Sequence, residues 1–371
     1  MTKEEAVYCI GCGARLQSEQ AGERGYTPQS SYDKGIETGE LYCQRCFKLR
    51  HYNQLEKVST SEDEFLALLN DLSNKDALIV NVIDIFDVSG SIISGLNRFT
   101  GDNPVLLVAN KLDLLPKSLN PNRLQNWLQG QLKDLGIKVD DILLLSAKKR
   151  KAVDELLDKI ESMRHGKDVY IMGVTNVGKS TIINRLLQST GVDAQVITTS
   201  QYPGTTLDLI EIPFEDDSVL VDTPGIIHSN QMTSLLDLDD LKLVMPADEL
   251  RPRTYQLNDQ QTLFMGGLAR FDYLSGEKMG ITAYFSRRLD IHRRKLEGSD
   301  EFYDKHLGGL LTPPQAGTIA EFPTLVRREF HIRENTDLVI SGLGWLNIPK
   351  AADIAIHVPR GIAVYLRSPL I

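Results

Sequence analysis

Two rhythms of apolar and polar positions divide this chain. In its middle third, short and nearly continuous apolar runs recur: "ALIVNVIDIF" from 77, "PVLLVA" from 104, "ILLL" from 142, "VYIM" from 169 and "VLV" from 219. Runs this apolar and β-branched suit strands buried on both faces of a parallel sheet. Amphipathic stretches with helical spacing flank them, including "SEDEFLALLNDLSNK", "KAVDELLDKIESMR" and "KSTIINRLLQ". The alternation predicts an α/β domain with a doubly wound, mainly parallel sheet. Beyond His228 the rhythm changes to strict alternation in "TAYFSRRLDIHRR", "TDLVISGLGWLNI" and "ADIAIHVPRGIAVYLR", with Gly and Pro at the turns. That pattern predicts half-exposed antiparallel strands. The reading divides the chain at 1–57, 58–228 and 229–371.

The first segment is set apart by its cysteines. All four fall before residue 47, as Cys9-x-x-Cys12 and Cys43-x-x-Cys46. Two-residue spacing lets both thiolates of a pair reach one tetrahedral ion at about 2.3 Å, and two pairs complete a Cys₄ zinc site. A redox pair would use one such motif in a βαβ context, which is missing. The 30 residues between the pairs exceed the common spacing of about 15–20, so the intervening ribbon must fold back. His51 is read as a bystander, because four thiolates already fill the site.

Composition adds limits. The 42% hydrophobic and 25% charged residues are those of an ordinary globular protein. The net charge of −9 gives no general support to a nucleic-acid partner. The acidity lies in the middle segment, however, where 16 basic residues face 24 acidic ones. No apolar run approaches the ~18 residues of a membrane span, and "MTKEEAVYCIGC" has no signal-peptide core. A cytoplasmic location without membrane contact is therefore expected.

Chemistry collects at the ends of the apolar runs. Residues 173–181, "GVTNVGKST", follow the fourth run and match the phosphate-binding pattern in full. Gly173 and Gly178 permit the backbone of Thr175, Asn176 and Val177 to wrap phosphates with N–H groups. Lys179 reaches the β- and γ-oxygens, and Ser180, followed by Thr181, ligates magnesium. Asp222 in "DTPG" is placed to hold magnesium through water, and the Gly225 N–H to meet a γ-phosphate. Asn110-Lys111-Leu112-Asp113 ends the second run. A carboxylate at Asp113 accepts two hydrogen bonds from the N1 and N2 edge of guanine, a donor pair adenine lacks. Lys111 lies along the base, and Ser146-Ala147-Lys148 ends the third run with an N–H at Ala147 for guanine O6.

These motifs resemble those of the Ras-like GTPases, but in another order. The base-reading motifs precede the phosphate loop, so the resemblance implies a circularly permuted P-loop domain. Helix 151–164 would then bridge the ancestral C-terminus to the ancestral first strand, which is tolerable because domain termini lie at the surface, often close together. The resemblance implies GTP or GDP with Mg²⁺, and a switch threonine in "YPGTTLD". Thr205 and Thr206 both qualify; similarity to GTPases with Gly-Thr-Thr-x-Asp favours Thr206. Ile226 stands where Ras-like proteins carry the glutamine that orients water, so hydrolysis by that route is absent. Asn176 resembles the asparagine with which potassium-activated GTPases hold K⁺ against the phosphates, taking over the charge of an arginine finger. Its other reading is as a stabiliser of the loop.

The last segment is basic between 251 and 295, with nine basic and four acidic residues. Tyr284 and Phe285 beside Arg287 and Arg288 suit RNA, with bases stacked and phosphates paired. A strand packing its aromatics inward fits the same pattern. A Cys₄ module, a permuted GTPase and a β-rich domain in this order resemble the YqeH family of bacterial circularly permuted GTPases. The resemblance implies a catalytic role for Lys179, Asn176 and Thr206 in slow GTP hydrolysis. It also implies a partner in the small ribosomal subunit or its rRNA. A GTP-sensing scaffold with negligible turnover is the alternative, because of Ile226.

Overall fold

A computed structural model describes residues 16–20, 25–32, 43–44, 69–190, 198–201, 208–223, 225 and 228–371. Cys9, Cys12, Cys46, His51, Thr205, Thr206 and Ile226 lie outside the described residues. Compactness divides the chain in two. One unit comprises Met1–Ile83, Ile93–Asn110 and Ile137–Ile227; the other comprises Asp84–Ile92, Lys111–Gly136 and His228–Ile371. Two stretches of the middle segment thus pack with the C-terminal part. The second unit secures those stretches through Asp87, which accepts from the Gly342 N–H at 2.6 Å, and through Trp127, whose Nε1 donates to the Ser368 carbonyl at 3.1 Å.

The first unit is built on a seven-stranded sheet. Its strands are β1 (Ala77–Asp84), β2 (Val105–Asn110), β3 (Asp141–Leu144), β4 (Asp168–Met172), β5 (Thr198–Gln201), β6 (Asp208–Pro213) and β7 (Val219–Asp222). Their order across the sheet is β3-β2-β1-β4-β7-β6-β5. The pairs β2–β3, β1–β4 and β4–β7 are parallel, while β7–β6 and β6–β5 are antiparallel hairpin pairs. Every residue of β2 is buried, as are the first seven of β1, which is what their unbroken apolar runs require.

Helices fill the crossovers. Helix α1 (Pro121–Asp134) starts at Asn120, whose side chain accepts from the Asn122 N–H, with Pro121 at its first position. Helix α2 (Arg150–Arg164) buries Val153, Leu156 and Ile160 at helical spacing. It ends at His165 and Gly166, with φ of 49° and 78°, and β4 begins two residues later. Arg164 fixes that junction. Its buried guanidinium bonds Glu161, Asp216 and Ser218 and lies 4.3 Å from the Phe214 ring centroid, tying α2 to the β6–β7 hairpin. Helix α3 (Lys179–Thr190) rises from the loop after β4.

The C-terminal part pairs two five-stranded antiparallel sheets. One contains β9 (Gln261–Met265), β10 (Ala269–Gly276), β12 (Ile291–Lys295), β13 (Leu325–Ile332) and β16 (Ala352–Pro359). The other contains β8 (Arg253–Leu257), β11 (Met279–Phe285), β14 (Thr336–Ile340), β15 (Gly344–Ile348) and β17 (Val364–Arg367). Leu263, Phe271 and Ile356 of the first join Ile281, Leu338 and Leu346 of the second in one hydrophobic core. The second sheet departs from the expected half-exposure. In β14, Val339 and Ile340 point to opposite faces and both are buried. The outward Tyr284 stacks on its cross-strand partner Trp345 at 4.8 Å, and Phe86 covers Trp345 at 5.6 Å.

Candidate functional site

The phosphate loop sits where β4 gives way to α3. Close approach dictates its glycines. A Cβ on Gly173 would lie 2.6 Å from the Val82 carbonyl oxygen, and one on Gly178 would lie 2.4 Å from Asn110 Nδ2. Gly178 also has φ of 92°, which disfavours any L side chain. Asn176 adopts φ of 67°, in the left-handed region that asparagine visits more readily than most residues. Val177 is buried, Thr175 and Asn176 are half-buried, and Ser180 and Thr181 are exposed at the first turn of α3. The loop therefore ends on a helix N-terminus, whose unpaired N–H groups and dipole favour an anion.

Lys179 and Asp222 meet in that cradle. The Lys179 ammonium donates to the Asp222 carboxylate and to the Thr223 carbonyl, and both charged side chains are buried. Thr223 is itself pinned, its N–H and hydroxyl both donating to the Ile171 carbonyl at 3.1 Å. The ion pair joins the end of β7 to the end of β4, neighbours in the sheet although 43 residues separate the partners. Gly225 completes the rim: a Cβ there would lie 3.5 Å from Thr175 Cγ2. These residues fit a magnesium-bound phosphate chain. The loop and Lys179 would hold the phosphates, while Ser180 and Asp222 would hold the metal.

Asn110 does more than its motif announces. Its amide donates to the Val177 carbonyl at 2.8 Å and accepts from the Ala147 N–H at 3.0 Å. One buried side chain thus ties the second strand end to the phosphate loop and to the Ser146–Lys148 turn. This revises the expectation for Ala147. Its N–H is directed at Asn110, so a contact to guanine O6 requires a shared, three-centre bond. Ser146 and Ala147 are buried, whereas Lys148 is exposed. Asp113 is half-buried in the 3-10 turn after Lys111.

Lys111 takes φ of 67°, and its ammonium donates to Asp84 Oδ2 at 2.5 Å. Asp84 belongs to none of the motifs, yet its position carries a signal: an acidic side chain interrupting the apolar run at the end of β1. Of the four cysteines, Cys43 is described and buried. No cluster of three metal-ligating side chains occurs among the described residues. The RNA reading of "YFSRR" is corrected in its aromatic half. Tyr284 and Phe285 are buried, packed on Trp345 and into the core, so neither offers a face to a base. No described helix is long and apolar enough to cross a membrane.

Known proteins resemble the chain in parts and as a whole. A family model described as "50S ribosome-binding GTPase" matches residues 168–263, and one described as "YqeH-like, C-terminal" matches residues 278–370. YqeH of Bacillus subtilis (strain 168) is 49% identical, with 99% of this chain and 100% of that protein covered. NO-associated protein 1, chloroplastic/mitochondrial, of Arabidopsis thaliana is 30% identical over 98% of this chain and 76% of that protein. GTPase Der of Aquifex aeolicus (strain VF5) is 37% identical over 46% of this chain and 40% of that protein.

Proposed function

The chain belongs to the YqeH family, and from that premise we propose a slow GTPase that acts as a switch in small ribosomal subunit assembly, bound to rRNA or a pre-ribosomal particle. Its P-loop GTPase domain brings GTP or GDP and Mg²⁺ as ligands and GTP hydrolysis as the reaction class. The observation that carries the reading is the convergence of the Gly173–Thr181 loop, Lys179, Asp222 and Asn110 on one cradle.

The domain is a circular permutation of the Ras-like order. Strand β4, which feeds the phosphate loop, is fourth in the chain but central in the sheet, with β1 on one side and β7 on the other. The strands ending in the base-reading motifs, β2 and β3, come earlier in the chain and lie on the far side of β1. Helix α2 and the Arg164 contacts provide the short connection such a permutation needs.

In the nucleotide complex, the phosphate-loop N–H groups and Lys179 would bind the phosphates, and Ser180, Asp222 and Thr206 would hold magnesium. Asp113 would read guanine, and Asn176 would hold K⁺, whose charge would offset that of the phosphates. Cys9, Cys12, Cys43 and Cys46 hold zinc in the N-terminal module. With Tyr284 and Phe285 buried, the basic edge strand β12, where Arg293, Arg294 and Lys295 are exposed, offers the better RNA contact. Ile226 keeps a second reading in play, a GTP-sensing scaffold without meaningful turnover.

Two measurements test the proposal. Protein loaded with GTP should co-sediment with purified 30S subunits more than protein loaded with GDP; binding to 50S alone, or to neither, overturns the assembly role. Multiple-turnover phosphate release in potassium, abolished by Lys179→Ala, separates the enzyme from the scaffold.

A further inference from the structure

Between the guanine-reading loop and the β-rich sheets stands a single turn with a carboxylate at each end. The turn and its partners Gly90, Ser91, Lys111, Ser341, Gly342 and Trp345 all belong to the second compact unit. The 3-10 turn Ile85–Asp87 follows β1 directly, and Asp84 caps it by accepting from the Phe86 N–H at 2.9 Å. The other oxygen of Asp84 receives the Lys111 ammonium at 2.5 Å. That ion pair is mostly buried, with the two side chains 21% and 13% exposed, so it is less screened than a surface pair.

At the other end, Asp87 is buried and faces the β14–β15 turn. It accepts from the Gly342 N–H at 2.6 Å, the Ser341 hydroxyl at 3.0 Å and the Gly90 N–H at 3.2 Å. The approach is tight: a Cβ on Gly90 would lie 2.1 Å from Ser341 Oγ. The two ends are also tied to each other. The Ser91 hydroxyl donates to the Asp87 carbonyl at 2.6 Å and accepts from the Asp84 N–H at 3.0 Å. Phe86, between the carboxylates, packs on Trp345. The turn therefore cannot shift at one end without disturbing hydrogen bonds at the other.

We infer that Asp84 and Asp87 are positioning residues for base recognition, through which the β14–β15 turn sets the placement of Lys111 and hence the affinity for guanine. The inference rests on the guanine-reading assignment of residues 110–113. The base is common to GTP and GDP, so this coupling raises or lowers both affinities together. It is distinct from any switch operated by the γ-phosphate. By reciprocity, a ligand that moves the β14–β15 turn changes guanine-nucleotide affinity, and nucleotide changes that ligand's affinity by the same factor.

The test compares binding of GDP, GTP and inorganic tripolyphosphate, which offers phosphates without a base, to the full-length protein. Asp84→Asn keeps the cap to Phe86 but loses the charge that holds Lys111. It should weaken GDP and GTP about tenfold, the scale of one charge-assisted hydrogen bond, and leave tripolyphosphate unchanged. Ser341→Ala retains the Gly342 and Gly90 N–H donors and the Gln231 amide on Asp87 and is the variant at the far end. It should weaken both nucleotides by about threefold, and the double variant should be no weaker than Asp84→Asn alone, because the far end acts through the near one. Unchanged nucleotide binding in both variants, or a parallel loss of tripolyphosphate, overturns the inference. Asp113→Asn is measured alongside with GTP and XTP. If it fails to swing preference toward xanthine, the guanine-reading assignment itself fails. If it swings while Asp84→Asn leaves the base-dependent affinity intact, only the coupling is wrong.

Discussion

Asn176 answers two requirements at one position. Its φ of 67° calls for glycine or asparagine, and its side chain is the proposed holder of K⁺. The backbone requirement alone explains the residue type, so loss of activity in Asn176→Ala would mix two causes. Asn176→Gly separates them, because glycine adopts this backbone without cost from a Cβ. Hydrolysis by the parent protein should be several-fold faster in potassium than in sodium. Asn176→Gly should abolish that difference while GDP affinity stays within about twofold. Equal rates of the parent in both salts would leave Asn176 a backbone residue only.

At the scale of elements, a heavily bonded buried charge belongs to the β9–β10–β16 group. Asp272 accepts both Arg270 Nε at 2.7 Å and Nη2 at 2.8 Å, the Thr262 hydroxyl at 2.6 Å and His357 Nε2 at 2.9 Å. Burial opposes its charge, but the hydrogen bonds from His357, Arg270 and Thr262 prevail and hold its pKa at about 2. The sign follows by linkage. A carboxyl held below its ordinary 3.8 stabilises the fold fully above that value, and the contribution disappears as pH falls through about 2. Urea unfolding of the full chain between pH 6 and 2 should show this loss in the C-terminal sheets. Asp272→Asn should lower stability at pH 6 and flatten the acid dependence. Asp272→Ala strands a buried guanidinium and should cost about 3–5 kcal/mol at pH 6. An unchanged acid profile in Asp272→Asn would remove Asp272 from the account.

At the scale of the whole molecule, the N-terminal module is expected to fold around the proposed zinc, because a sequence of 57 residues with few apolar runs offers little material for a core. Purified protein should contain about one equivalent of zinc. Cys12→Ser should release it and expose residues 1–57 to protease, with nucleotide affinity unchanged. Full zinc content in Cys12→Ser would exclude Cys12 as a ligand.

Much of the candidate site was legible because patterns that suit a phosphate loop, base reading and a metal aspartate occupy the ends of apolar runs, and both spacing and run length are local properties. The parallel sheet and the later antiparallel strands followed from the same periodicity. Other features depend on residues far apart in the chain. Periodicity reports which positions of a strand are apolar, but it says nothing of what covers the second face. From sequence, Tyr284 therefore suits an RNA platform and a packed strand equally; Trp345 across the strand, covered by Phe86, decides for packing. Asn110 read as a base contact, whereas its amide also joins two other strand ends. Asp84 and Asp87 belong to none of the sequence motifs; only the tertiary structure brings one to Lys111 and the other to Ser341 and Gly342. Local pattern alone was enough to place the candidate chemistry at particular strand ends. Tertiary structure decided which of those ends are held together, because buried hydrogen bonds between distant segments leave no periodic trace in either one.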